Sequence, residues 1–437
     1  MSASEATEAR AGPVAPGPTY SPRYVRGVVA LLVTAVAFEF FHRQLLAIAV
    51  EPIRAELGFS DTEMGALVTA FAASYAAFVL VLGRLADGGS RRTLYALAIA
   101  VWSAGTALGG AAAGFVSFLL TRLVVGLGQA GAGATNGPLV ADYVPPARRA
   151  TALGLVAMGA TLGIFLALGL GGWGIAAFGW RATFAAGGAL GLVFAAVFRF
   201  AVHEPPRGWS EARTHEAGER PRLGEVVRTI AGLRTFRHMV AGAILASMAL
   251  FASAQWGPAF LQRTHGLSLQ SAGLAAGGIA VLATFGAIAG GVLCDRMWAK
   301  NARGVLLLPA LCCGLAFPLS LGAFFWPGLG GALAMLAAAS VLALVHAPPV
   351  GAVTQALAPL RMRGMISAVL NSLLTLFGLG VGPLLTGGVS DLVSAGGGDG
   401  LRTGLAGVSV LYLWSAAHFV LAARTLPAEL ARSGGAG

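Results

Sequence analysis

Apolar runs of about 20 residues, each long enough to cross a bilayer as a helix, recur along this chain with short polar breaks between them. Twelve can be marked, at 26–47, 61–83, 93–112, 115–140, 149–172, 181–200, 238–257, 268–292, 304–325, 328–347, 362–389 and 403–424. Several adjacent runs are separated by short breaks, so antiparallel neighbours are expected. The longest break, from His203 to Arg237, contains Pro205-Pro206, Glu211, Arg213, Glu216, Glu219, Arg220 and Arg222, and it divides the runs six and six. Within it, Leu223 to Ile230 reads as a surface helix. The pattern predicts an all-α integral membrane protein with twelve transmembrane helices, in two pseudo-symmetric six-helix bundles around a central cavity. Residues 1–25 are expected to be a disordered cytosolic tail and 26–200 the first bundle. A cytosolic linker follows at 201–237, then the second bundle at 238–424 and a C-terminal tail at 425–437.

Composition supports burial in lipid. Of 437 residues, 57% are hydrophobic and 11% charged, against about 25% charged in a soluble domain. The 63 glycines suit helices that must approach closely where oil gives apolar side chains no reason to associate. The net charge of +11 does not point to nucleic acid, because the basic residues lie between apolar runs. With the N-terminus inside, 23 of the 29 Lys and Arg residues fall on cytosolic segments. Only Arg54, Arg181, Arg263 and Arg402 fall outside, and Arg43 and Arg122 lie within the membrane. That asymmetry predicts both chain ends in the cytoplasm. A single lysine, Lys300, beside 28 arginines fits a GC-rich bacterial gene, so a bacterial inner membrane is expected. The first 25 residues lack a basic segment followed by an apolar core. Cys294, Cys312 and Cys313 lie in apolar stretches without disulfide or metal spacing and read as small buried fillers.

One short string occurs twice. Gly83-Arg84-Leu85-Ala86-Asp87, followed by Arg91 and Arg92, ends the second run; Gly291-Val292-Leu293-Cys294-Asp295, followed by Lys300 and Arg303, ends the eighth. The echo implies two similar halves, an arrangement typical of secondary transporters.

Twelve runs, a central loop and the doubled Gly-x-Leu-x-Asp string resemble the major facilitator superfamily over essentially 26–424. The resemblance makes Gly83, Leu85, Asp87, Arg91 and Arg92 its cytosolic gate motif, with Gly88 where a basic residue is usual. Arg122-x-x-x-Gly126-x-Gly128 matches its second motif, and the glycines from Gly159 to Gly172 resemble its span-five motif without the proline. Three further pieces are similar to the spinster-like branch: Arg43-Gln44-Leu45-Leu46-Ala47-Ile48 leading into Glu51 to Gly58, Pro258 to Arg263 before Gly266-Leu267-Ser268, and Gly382-Pro383-Leu384-Leu385 before Ser390-Asp391. Eukaryotic members of that branch export lysolipids and sphingosine phosphate. Two positions that the branch ties to proton coupling carry no carboxylate here; they are His42 and Gln129.

Charge inside a bilayer costs at least ~2.5 kcal/mol and needs a partner or a wet cavity. Glu39, His42 and Arg43 share one helix face at i, i+3 and i+4, with Glu39 and Arg43 in the favourable order for a pair. Arg122, Gln129 and Asn136 recur every seven residues along span four. These six are the candidate substrate and coupling residues, expected to face each other across the first half of the cavity. Guanidinium forks at Arg43 and Arg122 suit phosphate or carboxylate; His42 and Glu39 are candidate proton carriers. The second half offers few polar groups in its spans. Gly83, Asp87, Arg91, Arg92, Arg148 and Asp295 are expected to form a cytosolic gate.

The expected function is alternating-access transport of an amphiphilic, lysolipid-like anion, active or facilitative. The alternative is proton-coupled transport of small organic anions such as sugar acids. The expected partners are that substrate, protons and the bilayer, with no nucleic acid and a monomeric chain. The seven histidines are scattered and no nucleophile motif is present, so neither enzymatic activity, a cofactor nor a metal is expected.

Overall fold

The computed structural model describes residues 20–205 and 223–434. Among the described residues all regular structure is helical. Ten helical runs are long and apolar enough to cross a bilayer. One of them, Pro146–Ala201, is 56 residues long, which is more than one crossing can use. It breaks at Gly179, whose φ of 80° lies in the left-handed region open to a residue without Cβ. Arg91–Gly109 supplies the remaining crossing. The twelve spans are therefore Pro22–Ile48, Asp61–Gly88, Arg91–Gly109, Phe115–Tyr143, 146–178, 180–201, Arg234–His265, Leu269–Trp298, Ala302–Phe325, Leu329–Leu357, Leu360–Ala395 and Gly400–Arg432. An even count puts both chain ends on one face, the near face; the opposite one is the far face.

Local chemistry sets the helix ends. Ser60 and Glu63 form a reciprocal capping box at the head of span two, and Ser90 and Ser268 cap spans three and eight through their hydroxyls. Spans two and four, three and four, three and six, and one and five pack together. Adding six to each number gives pairs that also pack: eight and ten, nine and ten, nine and twelve, seven and eleven. The halves meet through spans two and eleven and through spans five and eight, which the same operation exchanges. This is a two-fold pseudo-symmetric pair of six-helix bundles.

The halves touch toward the far face and part toward the near face. A Cβ built on Gly65 of span two would lie 2.7 Å from the Leu384 Cα in span eleven, and one on Gly273 of span eight 2.1 Å from the Leu168 carbonyl oxygen in span five. Further along the same elements, Gly83, Gly88 and Gly364 have nothing within 4 Å of such an atom. Leu85 is 57% exposed beside them. The protein is thus open toward the near face.

Both tails are shorter than the sequence suggests. Span one starts at Pro22 with Ser21 as its cap; Tyr20 and Tyr24 stack on each other and meet the Tyr143 ring at a tilt. The last helix continues to Gly434, with Leu426 and Glu429 buried. The Glu429 carboxylate accepts from the Arg234 and Thr235 backbone N–H groups at 2.9 and 3.2 Å. Within the linker, Leu223–Gly232 is helical, and its Glu225 pairs with Arg361 at the head of span eleven. Residues 1–19 of the expected tail and 206–222 of the linker lie outside the described residues.

Candidate functional site

Spans one and four meet through one shared side-chain web. Arg43 Nη2 donates to Glu39 Oε1 at 2.8 Å, and Arg43 Nε and Nη2 both donate to Gln129 Oε1 at 3.0 and 2.8 Å. Gln129 completes the web by donating from Nε2 to the Glu39 backbone carbonyl at 2.9 Å. The spacing that puts Glu39 and Arg43 on one turn makes the ion pair; an amide, both donor and acceptor, lets span four clasp it. Span four also packs closely on span two because Gly126 has no side chain: a Cβ there would stand 2.4 Å from the Phe71 carbonyl oxygen. The Arg43 and Glu39 side chains keep 19% and 11% of their surface exposed, so the pair borders open space.

Arg122 is placed differently. It is 2% exposed, its Nε has no hydrogen-bond partner, and no carboxylate among the described residues pairs with it. Its guanidinium carbon faces the Phe71 ring 5.5 Å from the centroid, and that of Arg43 faces the same ring at 5.1 Å. Phe71 thus lies beside both cations and lends each its π system. An unpaired buried guanidinium is costly, and a bound anion relieves that cost.

His42 turns out not to share a cavity wall with Glu39 and Arg43. It is fully buried, and its Nε2 bonds the Gly187 carbonyl of span six at 3.0 Å. The i, i+3 offset leaves it one step round the helix, facing the bundle interior. A Cβ on Gly191 would meet both the Ser103 hydroxyl and His42 Cε1, at 2.3 and 2.8 Å. The His42 Nδ1 and Ser103 Oγ atoms are buried without partners. Asn136 is half-buried with a partnerless Oδ1, two turns from Gln129 and outside the web.

On the near face, Arg91 and Arg92 have partners close at hand. Arg91 pairs with Asp142 inside the first half, and the Arg91 and Arg92 backbone N–H groups donate to Glu204 at 2.8 and 2.9 Å. Gly83 faces open space, and Arg148 and Asp295 are exposed. Asp87 is half-buried at the end of span two.

A cluster absent from the sequence reading closes the far face. Asp61, at the head of span two, accepts from Arg54 at 3.0 Å, from Arg263 of span seven at 2.7 and 2.8 Å, and from the Ser390 hydroxyl of span eleven at 2.6 Å. Arg263 also binds Glu51 at 2.7 Å. Asp391 accepts from the backbone N–H groups of Asp61 and Thr62 at 3.0 and 2.7 Å. The available signals were Arg54 and Arg263, two of the four basic residues that fall outside the cytosolic segments. Nearby, Arg181 Nε and Trp180 Nε1 hold Glu56 at 2.7 and 2.6 Å, and these bonds lower its pKa from the ordinary value.

A model of the Major Facilitator Superfamily matches residues 32–383. The hexuronate transporter of Bacillus subtilis is 30% identical over 64% of this chain and 67% of its own length. The D-galactonate transporter of Escherichia coli is 25% identical over 91% and 95%, and an MFS-type efflux pump of Mycolicibacterium smegmatis 29% over 92% of each chain. Among solved structures, a bacterial homologue of the human lysosomal transporter Spinster, inward-facing and unoccupied, superposes with a TM-score of 0.86. It is 26% identical and covers 94% of this chain and 99% of its own.

Proposed function

The chain belongs to the major facilitator superfamily, on its spinster-like branch, and from that premise we propose that this multi-pass membrane transporter carries a small organic anion, with Arg43 and Arg122 as the anion site. The observation that carries this reading is Arg122: a guanidinium 2% exposed, beside a second one, with no carboxylate of its own. The relatives named for hexuronate and galactonate transport support sugar acids as the class. The arginine distribution supports a cytoplasmic near face, and the bacterial relatives support an inner membrane.

The charges suggest a cycle. Empty, Arg43 is neutralised by Glu39. An entering carboxylate spans Arg43 and Arg122 and competes with Glu39, which is then neutralised by a proton. Proton and anion cross together as the two halves rock about the site. The far-face cluster around Asp61 opens as Asp87, Asp295 and the near-face arginines close. A second reading, an amphiphilic lysolipid-like anion, draws support from the apolar spans of the second half and the likeness to the Spinster homologue.

Purified protein in liposomes separates them. Uptake of glucuronate and galactonate is expected to saturate, to accelerate with a proton gradient and to fail in Arg122→Gln. Movement of lysophosphatidylglycerol with no sugar-acid uptake would hand the site to the amphiphile.

A further inference from the structure

On the flank of the first half, spans one, five and six enclose a recess of about 730 Å³. Its walls include Phe38 and Phe41, Leu166 and Leu170, and Ala186, with Trp173 toward the far face. Around span one, these positions lie on the side away from Glu39 and Arg43. The backbone shapes the recess: span five becomes π-helical at Ala167–Gly171, a rare form associated with functional sites, and the turn at Gly179 leads into span six without a loop.

Apart from the Trp173 indole N–H at the far-face rim, the walls offer few hydrogen-bonding groups. The Thr34 hydroxyl donates to the Ala30 carbonyl and the Thr183 hydroxyl to the Gly179 carbonyl, each at 2.9 Å. The Gly187 carbonyl is taken from behind by His42. Water would find few partners there, and a sugar acid fewer than it needs. What such a surface takes is hydrocarbon, through area burial and dispersion. Leu170, Trp173 and Phe178 are more than half exposed on spans that lie in lipid. From Leu162 to Gly174 the wall runs about 18 Å at 1.5 Å per residue, close to the roughly 15 Å of hydrocarbon in one leaflet. Trp173 and Phe178 cross edge-to-face at 5.7 Å, where aromatic belts meet head groups. A second apolar recess, on spans nine and twelve, has only two helices for walls and no aromatic rim.

We infer that the recess between spans one, five and six is a binding site for a single acyl chain of a far-leaflet phospholipid. This occupant is separate from the transported anion. Its seat adjoins moving parts: span one carries Arg43 on its other side, and span five crosses span eight at Leu168 and Gly273. The chain braces the contact between the halves while the near face is open.

Native mass spectrometry of the full chain, purified from membranes in detergent, is expected to show a single retained phospholipid. Ala182 and Ala186 are exposed within the recess, so Ala182→Phe with Ala186→Phe fills it and should lose the lipid at unchanged thermal stability. Leu311→Phe on the other recess and Arg43→Gln at the anion site should both keep it. No lipid on the parent chain, equal retention by the filled variant, or a lipid-free dimer would overturn the inference. Loss of the lipid in Arg43→Gln would reassign it as cargo. A check that needs no filling variant is quenching by brominated-chain phosphatidylglycerol in detergent: it should fall in Trp173→Phe, and an unchanged response also overturns the site.

Discussion

The two halves share a fold and differ in how their buried polar groups are answered. In the second half, the hydroxyls of Thr354, Thr386, Ser409 and Ser415 each reach a backbone carbonyl of that half, at 2.6 to 3.1 Å. In the first half, His42, Tyr95, Trp102, Ser103, Arg122 and Asn136 each keep a buried polar atom without a partner. Partnerless atoms among the described residues of the second half lie only at its far-face ends, in His265 and Arg402. Buried polar groups normally find partners. One half is therefore a saturated frame, and the other is chemically incomplete until something enters.

Arg122→Leu tests that contrast hardest. Hydrogen bonds to a charged group contribute about 1.5–3 kcal/mol, so anion uptake should fall by roughly ten- to hundredfold. Thermal stability should hold or rise, because an unpaired buried charge is gone. A large stability loss would make Arg122 part of the frame. Glu39→Gln should act the other way. It leaves Arg43 without its anion and should lower stability by up to about 3 kcal/mol, while uptake becomes insensitive to a proton gradient; unchanged coupling would remove Glu39 from the cycle. Asp61→Asn weakens the far-face cluster, so far-side thiol labelling of a Thr69→Cys reporter should rise several-fold. No rise would mean that glycine-mediated packing alone keeps that face shut. Ser415→Ala in the saturated half should cost only about 1 kcal/mol and leave uptake unchanged. The smallest effect concerns Glu56. Its pKa is depressed in the folded chain, so its clasp on Arg181 contributes above the unfolded value of about 4.5 and is lost as pH falls below it. Slight loosening of Val50–Leu57, read by hydrogen exchange, should appear only in that acid range and vanish in Glu56→Gln.

What could be read from the sequence followed periodicity. Hydropathy located the spans, and the i, i+4 spacing of Glu39 and Arg43 located an ion pair. The same reasoning put His42 with them, because one face of a helical wheel is broad and only packing decides between a cavity and the Gly187 carbonyl. Nothing in the sequence around Phe71 sets it apart from other aromatics in apolar runs, yet its ring meets both guanidiniums. Asp61 draws its three partners from residues 54, 263 and 390, too far apart in the chain for any local pattern. The recess was hidden for a different reason: it depends on where span five widens, and its residues are the same leucines and alanines that fill every other run.

The carboxylate of Asp391 has one more implication. The capping box at the head of span two satisfies the N–H groups of Ser60 and Glu63, but those of Asp61 and Thr62 depend on a residue from the opposite half. Swinging the outer ends apart therefore uncaps a helix as well as separating charges, at a cost typical of a lost cap, about 0.5–2 kcal/mol. The carrier has a built-in resting posture, and cargo must supply the tilt that leaves it.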